Sequence, residues 1–159
     1  MYTASPANSR LSQQTRALGA GLLLLAATPL LADNHGDHAS LERLAEGEHR
    51  SASNIARNDA RHPVETLEFF GLQPDMTVIE ILPSTGWYTE IIAPYVRDQG
   101  KFYAAHFSPN ASLSYMPPTL RAFEDKITAD PQLYGKITVR HLNPPHEVVI
   151  APAGSADMA

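Results

Sequence analysis

Residues 77–90, with the sequence TVIEILPSTGWYTE, constrain the fold of this chain more than any other segment. Five of the first six residues are apolar or β-branched, and Glu80 is the only charge among them. A proline, two hydroxyl residues and a glycine follow before an amphipathic segment begins. This order predicts a buried strand over residues 77–82, a tight turn, and a helix over residues 87–96.

A strand that leads through a small-residue turn into a helix is a potential ligand site. Backbone N–H groups at the start of such a helix converge on one point, where an anionic or polar group can bind. The carboxylate of Glu80, near the end of the strand, can order the turn by accepting backbone N–H bonds. The same unit is common in α/β proteins and most such turns bind nothing, so a purely structural role for Glu80 stays open.

The rest of the chain continues the alternation of strands and helices. Helical patterns occur at residues 40–57, 62–71 and 119–129, and runs typical of strands occur at residues 101–107 and 136–142. A β-α-β-α-β order favours a parallel sheet flanked by helices, with right-handed crossovers and a ligand at the carboxyl ends of the strands. We therefore predict an α/β fold, with one further short strand as a candidate over residues 147–151.

The start of the chain, residues 1–32, has the layout of a secretory signal peptide. A polar stretch that carries Arg10 and Arg16 and no acidic residue precedes an apolar run, residues 17–32, that is short for a membrane span. We expect cleavage after Ala32 and a periplasmic or secreted protein without a stable membrane anchor. The alternative is an uncleaved N-terminal anchor.

Beyond this segment, we expect a flexible start and an N-terminal helix over residues 33–55 and one folded unit over residues 56–159. The formal net charge is −5, and removal of Arg10 and Arg16 with the signal would make it −7. An acidic chain without runs of Lys or Arg argues against binding to nucleic acid or to anionic lipid surfaces. The absence of cysteine excludes disulfides, thiolate metal sites, a cysteine nucleophile and a lipid-modified cysteine at the cleavage site.

Two stretches, RHPVETLEFFGLQPDMTV at residues 61–78 and WYTEIIAPY at residues 87–95, carry a family resemblance. From about residue 56 to its C-terminus, the chain resembles class I S-adenosylmethionine-dependent methyltransferases, and more narrowly a bacterial group of exported predicted methyltransferases. The resemblance implies a partial Rossmann-like methyltransferase fold, S-adenosylmethionine as the cofactor, and methyl transfer to an unknown acceptor.

The resemblance also implies which residues bind the cofactor. Glu80 takes the place of the motif acid that organises the turn around the methionine part of the cofactor. His106, at the end of the second strand, takes the place of the residue that contacts the ribose. Four turn residues would contact the amino and carboxylate groups of the cofactor, mainly through the backbone: Pro83, Ser84, Thr85 and Gly86.

The chain departs from the family pattern at three positions. Leu82 and Ser84 stand where methyltransferases typically have glycine, and a Cβ at Ser84 narrows the approach of a ligand to the backbone. At His106 the family usually has a carboxylate, which accepts two ribose hydroxyl bonds, whereas a neutral imidazole offers one acceptor and a protonated imidazole none. His106 is therefore either a weaker ribose contact or a polar strand end at the rim of a pocket.

The resemblance also predicts an incomplete fold. A methyltransferase of this class has a seven-stranded sheet in which the fourth strand lies beside the first. This chain supplies three strands and ends about where the family enters its fourth. We therefore expect a truncated form of the family fold, in which the first strand is an exposed apolar edge.

Other chemistry finds little support in the sequence, which predicts no metal site. Of seven histidines, His35 and His38 lie three apart in a polar tail, a pattern typical of adventitious metal binding, and His141 and His146 flank two prolines. No Gly-x-Ser-x-Gly elbow occurs, and no catalytic base can be named. Two functions remain open: S-adenosylmethionine-dependent methyl transfer, and small-ligand binding by a non-catalytic exported protein on the same fold.

Overall fold

Within residues 35–159, three parallel strands flanked by helices form the centre of the fold, which confirms the predicted α/β class. The structure is a computed structural model that describes residue 1 and residues 35–159, with side chains from Ser40 onward. Apart from its first residue, the predicted signal peptide lies outside the described residues, as do the side chains of His35 and His38. No helix within the described ranges combines the length and the apolar character that crossing a membrane requires.

From the first strand onward, helices connect the strands in the order that the sequence predicts, and two helices lie between the second and third strands. The helices are α1 (His35–Ala45), α2 (Ala52–Ile55), α3 (Asn58–Arg61), α4 (Pro63–Phe69), α5 (Thr89–Val96), α6 (Met116–Ala129) and α7 (Pro131–Tyr134). The strands are β1 (Thr77–Ile81), β2 (Lys101–His106) and β3 (Ile137–His141).

The central strand of the sheet is β2, which pairs in parallel with β1 on one side and β3 on the other. The register aligns Ile81 with Ala105 and His106 with His141. Because the strands run in the same direction, their carboxyl ends lie at one edge of the sheet, where α/β proteins bind ligands. The turn after β1 and the end of β2 are therefore neighbours.

The apolar core lies where α5 packs into the fold. Ile91 and Val96 of α5 are fully buried, as is Phe123 of α6. Helix α5 also contacts α1, β2 and α7. Burial of an apolar side chain of this size contributes about 1.5–3 kcal/mol. Correct placement of α5 is therefore a large part of the stability of the fold.

The N-terminal segment differs from the single helix predicted over residues 40–57. One helix, α1, ends at Ala45, and the next, α2, begins only at Ala52. Between them, the buried guanidinium of Arg50 turns back and donates to the carbonyl oxygen of Ala45. This bond satisfies a carbonyl that the end of α1 leaves free. The first helix also begins at His35, inside the stretch that we expected to be flexible.

Two smaller predictions also differ from the structure. The helix predicted over residues 87–96 begins at Thr89, because a turn occupies the residues before it. Residues 147–151, all of which the structure describes, form no strand, and the only pairing there is a bridge between Asn143 and Glu147.

The outer edge of β1 is paired near its start. Val78 forms a parallel bridge with Met158, and the N–H of Ile79 donates to the Met158 carbonyl oxygen at 2.9 Å. The carboxylate of Asp157 accepts from the N–H of Thr77 at 2.7 Å. These C-terminal residues lie beside the first strand, which is the position of the fourth strand in the fold that the resemblance implies.

Beyond this bridge, the edge of β1 is open and apolar. Ile81 is 56% exposed and Leu82 43%, and Phe69 and Phe70 at the end of α4 are more exposed still. A groove of about 350 Å³ lies between α4, β1 and the last two residues of the chain. Since an exposed apolar strand edge can pair with another chain, self-association is expected at this edge.

We expect Ile81→Lys to reduce concentration-dependent self-association, because a lysine on an edge strand opposes pairing with a second chain. The free energy of unfolding should change by less than about 0.5 kcal/mol, since Ile81 is exposed. Light scattering over a concentration series measures the association. The matched control is Val149→Lys, at an exposed apolar residue outside the sheet. Equal association of the two variants would contradict the prediction.

Candidate functional site

The turn that follows β1 has an alternating backbone conformation. Leu82, Ser84 and Gly86 have φ values of 52°, 56° and 85°, in the left-handed region that favours glycine. A residue with a Cβ pays about 1–2 kcal/mol to adopt this conformation. Leu82 and Ser84 adopt it nonetheless. All three residues occupy positions where the methyltransferase resemblance places glycine.

Gly86 is the turn residue at which glycine is required for two reasons. A Cβ there would lie 3.3 Å from atoms of Phe123 and Thr89, in addition to the strain of a positive φ. Its N–H donates to the carbonyl oxygen of Pro83 at 2.8 Å, and its carbonyl oxygen accepts from the N–H of Glu90 at 3.2 Å. Gly86 therefore closes the turn and starts the hydrogen bonding of α5.

Within residues 83–86, Ser84 and Thr85 are exposed, whereas Pro83 and Gly86 are buried. Among the residues that the structure describes, the backbone N–H groups of Ser84 and Thr85 have no hydrogen-bond acceptor. Free backbone donors just before a helix can bind an anionic or polar ligand group. The predicted turn residues are thus brought together, and two of them present unsatisfied donors.

His106 closes β2, and its ring is fully buried. Its Nδ1 accepts from the N–H of Phe107 at 2.7 Å, so the ring proton lies on Nε2, which donates to the carbonyl oxygen of Ser84 at 2.8 Å. Burial lowers the pKa of the imidazole, and the bond to Ser84 opposes this effect only in part. The neutral ring thus uses both nitrogens, and the single acceptor that we expected for a ribose hydroxyl is occupied.

Glu80 joins β1 to the first turn of α5. Its Oε2 accepts a hydrogen bond from Thr89 Oγ1 at 2.6 Å, and not from a backbone N–H as the sequence suggested. Burial raises the pKa of the Glu80 carboxyl to about 7, against the lowering effects of the Thr89 bond and of Lys126. Both protonation states of this carboxyl are therefore populated near neutral pH.

Glu90 is a buried carboxylate that is absent from the predicted site residues. Its side-chain oxygens lie 3.1 Å from Arg50 Nε and 2.5 Å from Lys126 Nζ. Asn54 Nδ2 donates to both oxygens at 2.9 Å. This cluster joins the N-terminal segment to α5 and α6. In the sequence, Glu90 is the only charge in an apolar helix, and a single charge of this kind is also typical of a solvent-exposed position.

Trp87 connects the same N-terminal segment to the turn. Its Nε1 donates to the carbonyl oxygen of Asn54 at 2.9 Å, and three guanidinium carbons, of Arg50, Arg57 and Arg61, lie 5.2 Å from its ring centre. Cation–π contacts of this kind contribute about 0.5–2 kcal/mol each. Because Arg50 is paired with Glu90, Arg57 and Arg61 contribute the positive charge beside the residue that directly follows the turn.

The histidines near the two prolines lie at the end of β3 and beyond it. His141 Nδ1 lies 3.4 Å from Glu147 Oε1, and His146 is exposed. Within the part of the chain that the structure describes, no three His, Cys, Asp or Glu side chains are grouped so that they could hold a metal ion.

No protein-family model matches the chain, and no curated protein is significantly similar to it. The methyltransferase resemblance therefore rests on the motifs quoted above. Because the same sheet architecture carries many unrelated functions, family membership and activity are proposals.

We expect the free energy of unfolding to contain a term that falls as the pH rises from about 5 to about 8. The folded pKa of Glu80, about 7, exceeds its ordinary value of 4.5, so the folded state binds the proton more tightly. The stabilisation is complete below the ordinary value and is lost as the pH rises through about 7. Glu80→Gln removes this titration and should change the pH dependence by up to about 3 kcal/mol. Urea unfolding across this range measures it, and parallel profiles for the two proteins would contradict the prediction.

Glu90→Gln should lower the free energy of unfolding by about 3–5 kcal/mol, because Arg50 and Lys126 would lose the carboxylate that neutralises them. The control is Asp98→Asn, which removes an exposed carboxylate that also contacts an arginine and a lysine. Exposed ion pairs contribute at most about 1 kcal/mol, so the control should change stability little. Denaturant unfolding compares the two, and similar losses would refute a special role for Glu90.

Proposed function

We propose that the protein binds S-adenosylmethionine at the turn after β1. Its activity would be the transfer of the methyl group to an acceptor that is unknown. The observation that carries the proposal is the left-handed backbone at Leu82, Ser84 and Gly86, since these are the glycine positions of the methyltransferase motif. A backbone of this shape lets a ligand approach main-chain N–H groups closely. The motif stretches at residues 61–78 and 87–95 support the same proposal.

The turn fits the amino-acid part of this cofactor. The free N–H groups of Ser84 and Thr85 are donors for its carboxylate. Arg57 and Arg61, which pack on Trp87, add positive charge beside the turn, and this favours an anionic group. Glu80, through its bond to Thr89, would hold the turn against α5. The donors for the carboxylate come from the backbone, so no side chain of the turn has to donate to the ligand.

Methyl transfer requires little acid–base catalysis by the protein. When bound, S-adenosylmethionine supplies an already activated methyl group on its sulfonium. The protein contributes mainly by positioning the acceptor. We therefore assign binding roles to the turn residues and propose no catalytic residue.

One observation favours a second candidate, an exported protein that binds a small ligand without catalysis. The carboxylate that methyltransferases usually have at the end of the second strand is replaced by His106. The Nδ1 of His106 is occupied by the N–H of Phe107, so the ring offers no acceptor to a ribose hydroxyl. A ligand without a ribose would not need one. The two candidates therefore differ in whether the turn binds an adenosyl group.

Calorimetric titration with S-adenosylhomocysteine tests the proposal. Gly86→Val should abolish binding, because the side chain would meet Phe123 and Thr89 and would be strained at a φ of 85°. Ser84→Gly should strengthen binding about fivefold, since it removes a Cβ from the path of the ligand. Thermal unfolding checks that each variant is folded. If the folded protein and Ser84→Gly both fail to bind, the methyltransferase proposal is wrong and the second candidate leads.

A further inference from the structure

Two backbone hydrogen bonds of the His106 imidazole join the end of β2 to the turn after β1. Nε2 donates to the carbonyl oxygen of Ser84 at 2.8 Å, and Nδ1 accepts from the N–H of Phe107 at 2.7 Å. The ring is fully buried, and the rings of Phe107 and Phe123 lie 5.2 Å and 5.0 Å from its centre. Packing and hydrogen bonding together therefore determine the orientation of this ring.

We propose that His106 is a positioning residue of the ligand site: it holds Ser84 in the left-handed conformation and does not itself contact the ligand. The proposal deepens the proposed function and rests on it for the identity of the ligand. It also predicts that His106 does not recognise the hydroxyls of a bound ribose.

The conformation of Ser84 explains why such support is needed. A φ of 56° is disfavoured for any residue with a Cβ. Neither the N–H of Ser84 nor that of Thr85 has an acceptor among the described residues. The bond from the Gly86 N–H to the Pro83 carbonyl oxygen closes the turn around Ser84, but it does not connect the turn to the sheet. The bond from the imidazole to the Ser84 carbonyl oxygen comes from another strand. It is the contact in this part of the turn that ties the backbone of Ser84 to the sheet.

Direct contact with a ligand would require the ring to give up one of its bonds. The Nε2 proton is donated to Ser84, and the Nδ1 lone pair is used by Phe107. Protonation would not free an acceptor, because it would place a second proton on Nδ1, facing the N–H of Phe107. Only the neutral ring with its proton on Nε2 satisfies both bonds.

A measurement without ligand tests the support directly. Nitrogen NMR of the imidazole should show a protonated Nε2 and an unprotonated Nδ1 at His106. The intraresidue NOE between the amide proton and Hα of Ser84 should be strong, as it is at positive φ. His106→Phe keeps an aromatic ring but removes both bonds, so this NOE should weaken. His106→Gln can donate its amide to the Ser84 carbonyl and should keep it. The opposite tautomer, or an unchanged NOE in His106→Phe, would overturn the proposal.

Binding of S-adenosylhomocysteine tests the consequence for the site. His106→Phe should weaken binding at least fivefold and His106→Gln less than twofold. In a Ser84→Gly background, glycine adopts the left-handed conformation without support, so His106→Phe should weaken binding less than twofold. An equal loss in both backgrounds would mean that His106 does not act through Ser84. If His106→Phe does not fold, the tautomer and His106→Gln still decide the question.

The 2′-deoxy analogue of S-adenosylhomocysteine separates positioning from contact. The ratio of the affinities for the two ligands should agree within about twofold between the original protein and His106→Gln, because neither residue contacts the ribose. A larger change would show direct contact and overturn the proposal. If no protein binds either ligand while the NMR results are as expected, the proposed function fails and the support of Ser84 by His106 stands.

Discussion

The buried ion cluster around Glu90 is the interaction on which the rest of the structure depends. A carboxylate cannot be buried without compensating charge and hydrogen bonds. The helix α5 therefore packs into the core only when Arg50 and Lys126 reach its first turn. This requirement ends the first helix early, because Arg50 must bend back from the segment between α1 and α2. It also brings α6 to the same point, since Lys126 belongs to that helix.

Placement of α5 in turn shapes the segment between it and β1. Thr89, the first residue of the helix, binds Glu80 of the strand, while His106 of β2 binds the carbonyl oxygen of Ser84. Between Glu80 and Thr89, every second residue from Leu82 to Gly86 has a left-handed backbone, and two of these three residues are not glycine. Local preference opposes that conformation, so the surrounding structure must hold it. Backbone strain that is maintained in this way is typical of functional sites.

In the proposed site, backbone groups would bind the ligand, whereas side chains hold the turn in its conformation. The donors available to a ligand are main-chain N–H groups, whereas the side chains of Glu80, Thr89 and His106 bind one another or the backbone. A turn of this kind can lose glycines and keep its shape as long as the supporting side chains remain. This explains how Leu82 and Ser84, which are not glycine, still have a left-handed backbone. The departures from the family pattern change the space around a ligand and the hydrogen-bond acceptors that are available to it.

Local pattern was sufficient to predict the strand–turn–helix unit at residues 77–90 and the parallel α/β order, because hydrophobic periodicity and turn residues act over a few positions. It was not sufficient for the break in the helix predicted over residues 40–57, since the burial of Arg50 depends on Glu90, 40 residues later. The sequence alone determined which residues form the turn. Only the tertiary structure decided that His106 supports it, because the partners of a buried charge or ring nitrogen come from segments that are distant in the chain.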